Sequence, residues 1–312
     1  MGVTPARARA ASHRTTFRVE PMIAVVILTY NAPAEMLRSA VSSVLASGGD
    51  HLIVVDNGSS AAESLALFPG GRVHLLSTGR NLGFAGGMNV GIEAAISAGA
   101  DHVALLNDDM VVDPGWLETL VGELGRDPSL GAVQPKLLFA GREPATVNSV
   151  GVTIGRDGAG TDIGYGELDD GRFDTPIDLR CCTGGAVLLR VAMLRQVGLF
   201  DQRLFMYYED VDLCLRGASA GWKFRCLPSA RVWHIGSATA DTMASTAVFH
   251  RERNRLWMLF RWAPWTDVAR GLWLSVRRLR HPPRAAHARA LAAGIGGAPR
   301  QLWRRVRRSD RG

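Results

Sequence analysis

No apolar run of the roughly 18 residues that a spanning helix needs occurs in the 312-residue chain, so the sequence offers no transmembrane segment. Residues 1–20, MGVTPARARAASHRTTFRVE, are rich in arginine but lack the apolar stretch of a secretory signal, and a flexible arm is expected there. The cysteines, Cys181, Cys182, Cys214 and Cys226, show no C-x-x-C spacing, which argues against a zinc cage or a disulfide framework and leaves reduced structural thiols and a cytoplasmic compartment as the expectation. G-x-G-x-x-G is missing, no acidic residue closes the first strand–helix–strand unit in the dinucleotide-binding manner, and no G-x-x-x-x-G-K-[ST] loop is present. There is no internal repeat of the kind that builds solenoids or propellers.

Positive charge is also scarce outside the C-terminus. Residues 251–312 carry 16 arginines against 3 acidic residues, a local charge of +13, and the net charge of +7 therefore leaves −6 for residues 1–250. With 47% apolar and 21% charged residues the chain can bury a sizeable core, as one large or two small domains. Apolar, β-branched runs at Ile23–Tyr30, Leu52–Ser60, Val73–Ser77 and His102–Leu106 predict strands. Between the first two, Met36, Leu37, Ala40, Val41 and Val44 follow the rhythm of an amphipathic helix. Asp113 is expected to cap, and Pro114 to open, the helix GWLETLVGEL. Residues 140–180 read as loops with short strands. Beyond them come a strand Cys181–Arg190, a short helix ended by Gly198, a helix with Val211, Cys214, Leu215 and Ala218 on one face, and strands WKFRCL and RVWHI.

Strands alternating with helices predict a mostly parallel sheet covered on both faces, and ligands bind such sheets beyond the carboxyl ends of the strands. Thr29–Asn31, Asp56–Ser59, Asn81–Gly87 and Asn107–Asp109 all follow apolar runs, so one sheet edge is expected to collect them. Asn107, Asp108 and Asp109 supply hard oxygen ligands of the kind Mg²⁺ or Mn²⁺ accepts, although a solvent-exposed acidic loop has the same composition. Glu209 and Asp210 open a helix, whose dipole favours their charged forms; they suit either proton acceptance or simple charge compensation. His234 follows the apolar end of a strand, where a lone histidine is ordinarily a satisfied core residue.

In this order and spacing, VVILTYN, VVDNGSS, GRNLGFAGGMNVGI, LLNDDMVVDPGWL, CCTGGAVLLR, LFMYYEDVDLCLRGASAGW and VWHIGSAT resemble a GT-A glycosyltransferase of family 2, in particular its rhamnosyltransferase-like branch, over about residues 22–260. The resemblance implies an α/β GT-A fold with a Rossmann-like central sheet. A glycosyltransferase domain would occupy residues 21–262, with a nucleotide-binding half at 21–125 and an acceptor-binding half at 126–262. It also implies roles. Thr29 and Asn31 would lie against the nucleotide, with Asp56 on the base and Asn81 and Gly83 close to the nucleoside and diphosphate. Asn107 and Asp108 would border the donor, with Asn107 standing where many relatives have aspartate. Asp109 and His234 would hold Mn²⁺ or Mg²⁺, Asp210 would be the catalytic base of an inverting displacement, and Glu209 would orient the acceptor.

The implied partners are a nucleotide-diphosphate sugar, dTDP-rhamnose being favoured, and a saccharide or lipid-linked acceptor in cell-envelope polysaccharide synthesis. From Phe249 onward Trp, Leu and Phe interleave with Arg, and residues 263–312 are expected to form a basic amphipathic helical tail. It would either lie on an anionic membrane at the cytoplasmic face or pack on the core. The bulky apolar residues speak against nucleic acid. The alternatives weighed are a sugar-phosphate nucleotidylyltransferase, whose Gly- and Arg-rich activation loop is missing, and a catalytically silent saccharide- or membrane-binding protein on the same scaffold.

Overall fold

The computed structural model describes residues 21–49, 51–60, 71–236 and 244–309; the expected N-terminal arm lies outside them. The chain begins with β1 (Ile23–Thr29), α1 (Ala34–Ala46), β2 (Leu52–Asp56), β3 (Val73–Ser77), α2 (Gly83–Ser97), β4 (His102–Asn107), β5 (Met110–Val112) and α3 (Trp116–Arg126). It continues through β6 (Leu130–Phe139), β7 (Val147–Ser149), β8 (Val152–Ile154), β9 (Gly160–Asp162), β10 (Ile177–Leu179), β11 (Ala186–Arg190), α4 (Val191–Val197), α5 (Glu209–Ser219) and β12 (Lys223–His234). Four helices follow, α6 (Ala244–Trp262), α7 (Trp265–Arg278), α8 (Arg284–Gly296) and α9 (Ala298–Ser309).

The main sheet runs β10-β12-β6-β11-β4-β1-β2-β3. β3, β2, β1 and β4 are parallel, as their uninterrupted apolar character predicts. β11 then enters antiparallel to both β4 and β6, so the sheet is mixed beyond β4. One face of β1 packs Ala24, Val26 and Leu28 into a core shared with α2, α4 and α5; the other packs Val25 and Ile27 with α1 and α3. α1 is held by buried Leu37, Ala40, Val41 and Val44, each larger side chain contributing ~1.5–3 kcal/mol on burial. α2 lies unusually close to β1, since a Cβ on Gly91 would stand 2.3 Å from Val26 Cγ1.

Several local expectations are corrected. α3 starts at Trp116 behind left-handed Gly115, and Asp113 does not cap it with its side chain. The Asp113 carboxylate instead accepts the Trp233 indole N–H at 2.8 Å. The strand expected at Cys181–Arg190 is regular only from Ala186, because the amides of Cys182, Thr183 and Gly184 donate to the side chains of Cys214, Gln134 and Asp210. Ala218 is exposed rather than on the buried face of α5. The two strands expected around residues 222–235 are the single strand β12, with a register break between Leu227 and Arg231.

The C-terminal helices do pack on the protein. Leu256, Leu259 and Phe260 of α6 form a small core with Val268 of α7 and Ala298 of α9. Arg304 of α9 is ion-paired with Asp201, and Arg261 of α6 with Asp212 of α5. Among the described residues no helix is long and apolar enough to cross a membrane.

Candidate active site

The carboxyl ends of β1, β2 and β4 and the N-terminus of α2 meet at one edge, as alternating topology requires. Asn31, left-handed at φ 52°, ties the end of β1 to the turn after β2: its N–H donates to Ser59 Oγ at 2.9 Å, and its Oδ1 accepts the Ser60 amide at 2.9 Å. Asp56 is buried, and its carboxylate accepts the Ser59 amide at 2.9 Å. Asn57, beside it, was not singled out from the sequence, yet it organises the edge. Its amide donates to Thr29 O at 2.8 Å, its Oδ1 accepts Leu82 N–H at 2.9 Å, and its Nδ2 donates to Gly83 O at 3.1 Å and to Asn81 Oδ1 at 3.3 Å. Asn81 Oδ1 in turn accepts the Gly83 amide at 2.7 Å. Gly83 has φ 72° and carries no Cβ of necessity, since one would stand 2.5 Å from the Phe205 carbonyl oxygen.

β5 positions the segment Asn107–Asp109. It pairs antiparallel with the end of β12, matching Met110 to His234, and the Asp109 carbonyl accepts Ile235 N–H at 2.9 Å. Asp109 and His234, 125 residues apart, therefore meet side by side, with Oδ2 and Nε2 2.9 Å apart. Asp109 is only 5% exposed, and its Oδ1 has no hydrogen-bond partner. Asp108 hydrogen-bonds Thr29, but burial still pushes its carboxyl up to about 6, with the charge of Asp109 adding to the rise.

The loop Thr183–Gly185 joins this triplet to α5. Gly185 O accepts the Asn107 amide at 2.9 Å, and the Gly184 amide donates to Asp210 Oδ2 at 2.9 Å. Asp210 Oδ1 accepts its neighbour Val211 N–H at 2.7 Å. Burial raises the Asp210 carboxyl to about 7 against these two donors, with the nearby Cys214 and Asp162 charges also raising it; burial likewise drives Glu209 well above the ordinary carboxylate range. The sequence expectation that the helix dipole would favour the charged forms is thus reversed, because desolvation outweighs a half-charge at a helix end. Glu209 Oε2 has no partner.

Asp162 at the end of β9 is a further acid that the sequence did not expose. Burial raises it too, while a hydrogen bond with Ser149 and the field of His234 lower it; it interacts with both His234 and Asp210. The segment before α5 is strained: Phe205, Tyr207 and Tyr208 have φ of 65°, 67° and 70°. Such bulky residues in the left-handed region cost ~1–3 kcal/mol each, and strain of this kind concentrates at functional sites.

Thr29, Asn31, Asp56, Asn81, Gly83, Asn107 and Asp108 thus lie at or just after the strand ends on one edge, Asp109 lies against His234, Asp210 is reached through Gly184, and Glu209 precedes Asp210 in the first turn of α5. A glycosyl transferase family 2 model matches residues 24–198. The chain belongs to that family. This family 2 chain is 29% identical, over 78% of itself and 86% of the relative, to the N-acetylglucosaminyl-diphospho-decaprenol L-rhamnosyltransferase of Mycobacterium tuberculosis. It is 24% identical to the dTDP-rhamnosyl transferase RfbF of Shigella flexneri, over 68% of each chain. To the O-antigen biosynthesis protein RfbC of Myxococcus xanthus it is 31% identical, over 72% of this chain but only 18% of that one. A crystal structure of GalNAc-T7 with UDP, GalNAc and Mn²⁺ superposes with a TM-score of 0.66 at 16% identity, covering 93% of this chain and 55% of that one, which establishes the GT-A fold. Asp210 and His234 lie beyond the matched segment.

The donor set fits a divalent cation in part. Asp109 offers an unpartnered buried carboxylate oxygen beside an imidazole, but among the described residues no three His, Cys, Asp or Glu side chains converge into a complete cage. Two protein ligands with diphosphate oxygens completing the shell is the arrangement Mg²⁺-type sites adopt.

Proposed function

We propose that the protein is an inverting glycosyltransferase that moves a sugar, rhamnose in the favoured case, from a nucleotide-diphosphate donor to a hydroxyl of a saccharide or lipid-linked acceptor in cell-envelope polysaccharide synthesis. The observation that supports this reading is the pairing of Asp109 with His234, together with the Gly184–Gly185 loop that accepts the Asn107 amide on one side and donates to Asp210 on the other. The names of the rhamnosyltransferase relatives support the choice of sugar and of an acceptor on a diphospho-lipid.

Thr29, Asn31, Asp56, Asn81 and Gly83 would receive the nucleotide, with Asn107 and Asp108 beside the diphosphate and Glu209 orienting the acceptor. Asp210 would take the proton of the acceptor hydroxyl as its oxygen bonds to the anomeric carbon from the face opposite the leaving group. The bond to the diphosphate oxygen breaks in the same step, its electrons leaving with the nucleoside diphosphate, so the anomeric configuration inverts. Asp109 and His234 would hold Mn²⁺ or Mg²⁺, which when bound neutralises charge on the departing diphosphate. With a carboxyl near 7, Asp210 matches the pKa range in which a general base works best at neutral pH.

The outer face of α7 and α9 supports attachment to an anionic membrane surface at the cytoplasmic side. Trp273 and Trp303 are 59% and 53% exposed, with Arg277 and Arg307 over their rings at 4.7 and 4.0 Å, the pairing of aromatic and cation that suits the lipid headgroup region.

The test is a screen for nucleoside diphosphate release with dTDP-, UDP- and GDP-sugars and diphospho-lipid acceptors, guided by thermal shift with Mn²⁺. Donor-specific stabilisation and acceptor-dependent release are expected. Release by none of the donors, with no shift, would leave the transferase reading without support.

A further inference from the structure

We propose that Asn254 of α6 is a positioning residue for the transfer, acting through the backbone of the Leu204–Tyr208 turn; this rests on the reading of Asp210 as the base. Asn254 is wholly buried, and its Nδ2 lies among three carbonyl oxygens of that turn: Leu204 at 2.8 Å, Met206 at 2.9 Å and Tyr207 at 2.8 Å. Arg253 Nε donates to Asn254 Oδ1 at 2.9 Å, which fixes which end of the carboxamide faces the turn. The same guanidinium donates through Nη2 to the carbonyls of Arg203 and Leu204, each at 2.9 Å. Two consecutive side chains of α6 thus satisfy every carbonyl from Arg203 to Tyr207 except that of Phe205, which accepts the Ala85 amide at 3.0 Å.

That turn needs holding. Its three left-handed residues are Phe and Tyr, with no glycine to relieve them, and such a backbone persists only where its surroundings over-determine it. Buried carbonyls without donors would add to the tendency to open. Two parts of the site depend on its shape. The Phe205 carbonyl binds the first turn of α2 and lies where a Gly83 Cβ would be, so it sets the donor loop. Tyr208 leads directly into Glu209 and Asp210, and its hydroxyl donates to Gly158 O at 2.9 Å and accepts Gly160 N–H at 3.0 Å, anchoring the hairpin that ends in Asp162. Asn254 touches none of the groups assigned to chemistry. It orients them through the chain.

The experiment uses full-length Asn254→Ala and Arg253→Ala, with steady-state kinetics, donor titration and amide hydrogen exchange. For folded Asn254→Ala we expect kcat to fall about 10²-fold, the loss that a displacement of the order of 1 Å produces, while donor Kd changes by no more than about threefold. Amides of residues 204–211 should exchange faster, with β1 and β4 as protected as in wild type. Arg253→Ala, truncated from the partly exposed half of the clamp, should show the same pattern at about a tenth of the size. A folded Asn254→Ala with kcat within about threefold of wild type would overturn the proposal, as would a uniform rise in exchange with normal activity per folded molecule. Should Asn254→Ala not fold, unaltered kcat and exchange in Arg253→Ala would overturn it instead. If wild type itself transfers no sugar, the transferase reading fails, and the exchange comparison still decides whether Asn254 holds the turn.

Discussion

Replacing Asp210 by asparagine removes a charge and keeps the shape, and the structure predicts that it stabilises the protein while disabling it. Burial lifts the Asp210 carboxyl from 3.8 to about 7. At ~1.4 kcal/mol per pKa unit, the ionised side chain weakens the folded state by ~4 kcal/mol at alkaline pH, an upper value because some solvent still reaches the group. The two amide hydrogen bonds that Asp210 accepts, from Gly184 and Val211, already hold that raised value down, so the ~4 kcal/mol is net of them and a neutral asparagine recovers most of it. The net gain at alkaline pH is therefore up to ~4 kcal/mol, or a Tm rise of up to ~6 °C at about 2.1 cal/mol/K of unfolding entropy per residue.

The pH dependence has a definite sign. A carboxyl raised above its unfolded value contributes stability that is complete below that value and lost as pH rises through the folded one. The advantage of Asp210→Asn over wild type should therefore be absent at about pH 4, open as pH climbs towards about 7, and stay constant above it. Calorimetry of both proteins at several pH values measures it. In the transfer assay the same variant should lose ~10²–10⁴ in kcat with donor binding intact. A variant less stable than wild type at about pH 8, or one keeping more than about a tenth of the turnover, would refute the reasoning.

Asp109→Ala should abolish the Mn²⁺-dependent part of donor affinity, which a donor titration with and without Mn²⁺ measures; an unchanged metal effect would remove Asp109 from the cation site. Gly83→Ala places a methyl 2.5 Å from the Phe205 carbonyl at a left-handed φ, so it should cost ~1–3 kcal/mol in thermal unfolding and weaken donor binding, and a neutral result would contradict the close approach. Wild-type kcat/KM should rise with pH through about 7 as Asp210 deprotonates, and a profile flat from about pH 6 to 8 would exclude it as the base. Trp273→Ser with Trp303→Ser should reduce flotation with anionic vesicles without altering activity on a soluble acceptor. These surface changes are preferable to truncation after Trp262, which would bare Leu256, Leu259 and Phe260, and equal flotation would dispose of the membrane contact.

Much of the candidate site's sheet edge was legible because it is local. Apolar runs set β1, β2, β3 and β4, parallel strands must end on the same side, and the polar residues that follow each run therefore converge. The meeting of Asp109 with His234 was not legible from spacing or composition. It depends on β5, a strand of three residues, pairing with the far end of a strand more than a hundred residues later, and only the family resemblance pointed to it. The protonation of Asp210 and Glu209 was misjudged for a related reason. The helix dipole can be read from a sequence, whereas desolvation depends on what covers the helix end. Asp162 and Asn57 escaped notice because one lies in a weakly patterned hairpin and the other resembles an ordinary turn residue.

The packing of α6 was not legible for the same reason. Its sequence, FHRERNRLWMLFRW, has the Arg–aromatic alternation of the helices that follow, so pattern alone groups it with the tail or with a membrane surface. Several of its polar residues nevertheless face inward. Asn254 and Arg255 are almost wholly buried, Arg253 and Asn254 bind the turn before α5, and Arg261 pairs with Asp212 on α5 itself. An arginine that would be solvated in a free amphipathic helix is here a donor to backbone carbonyls, which only the strained turn leaves in need of one. The candidate site and α6 therefore share one mechanical element, and removing α6 should disturb Asp210 even though it carries no group assigned to the chemistry.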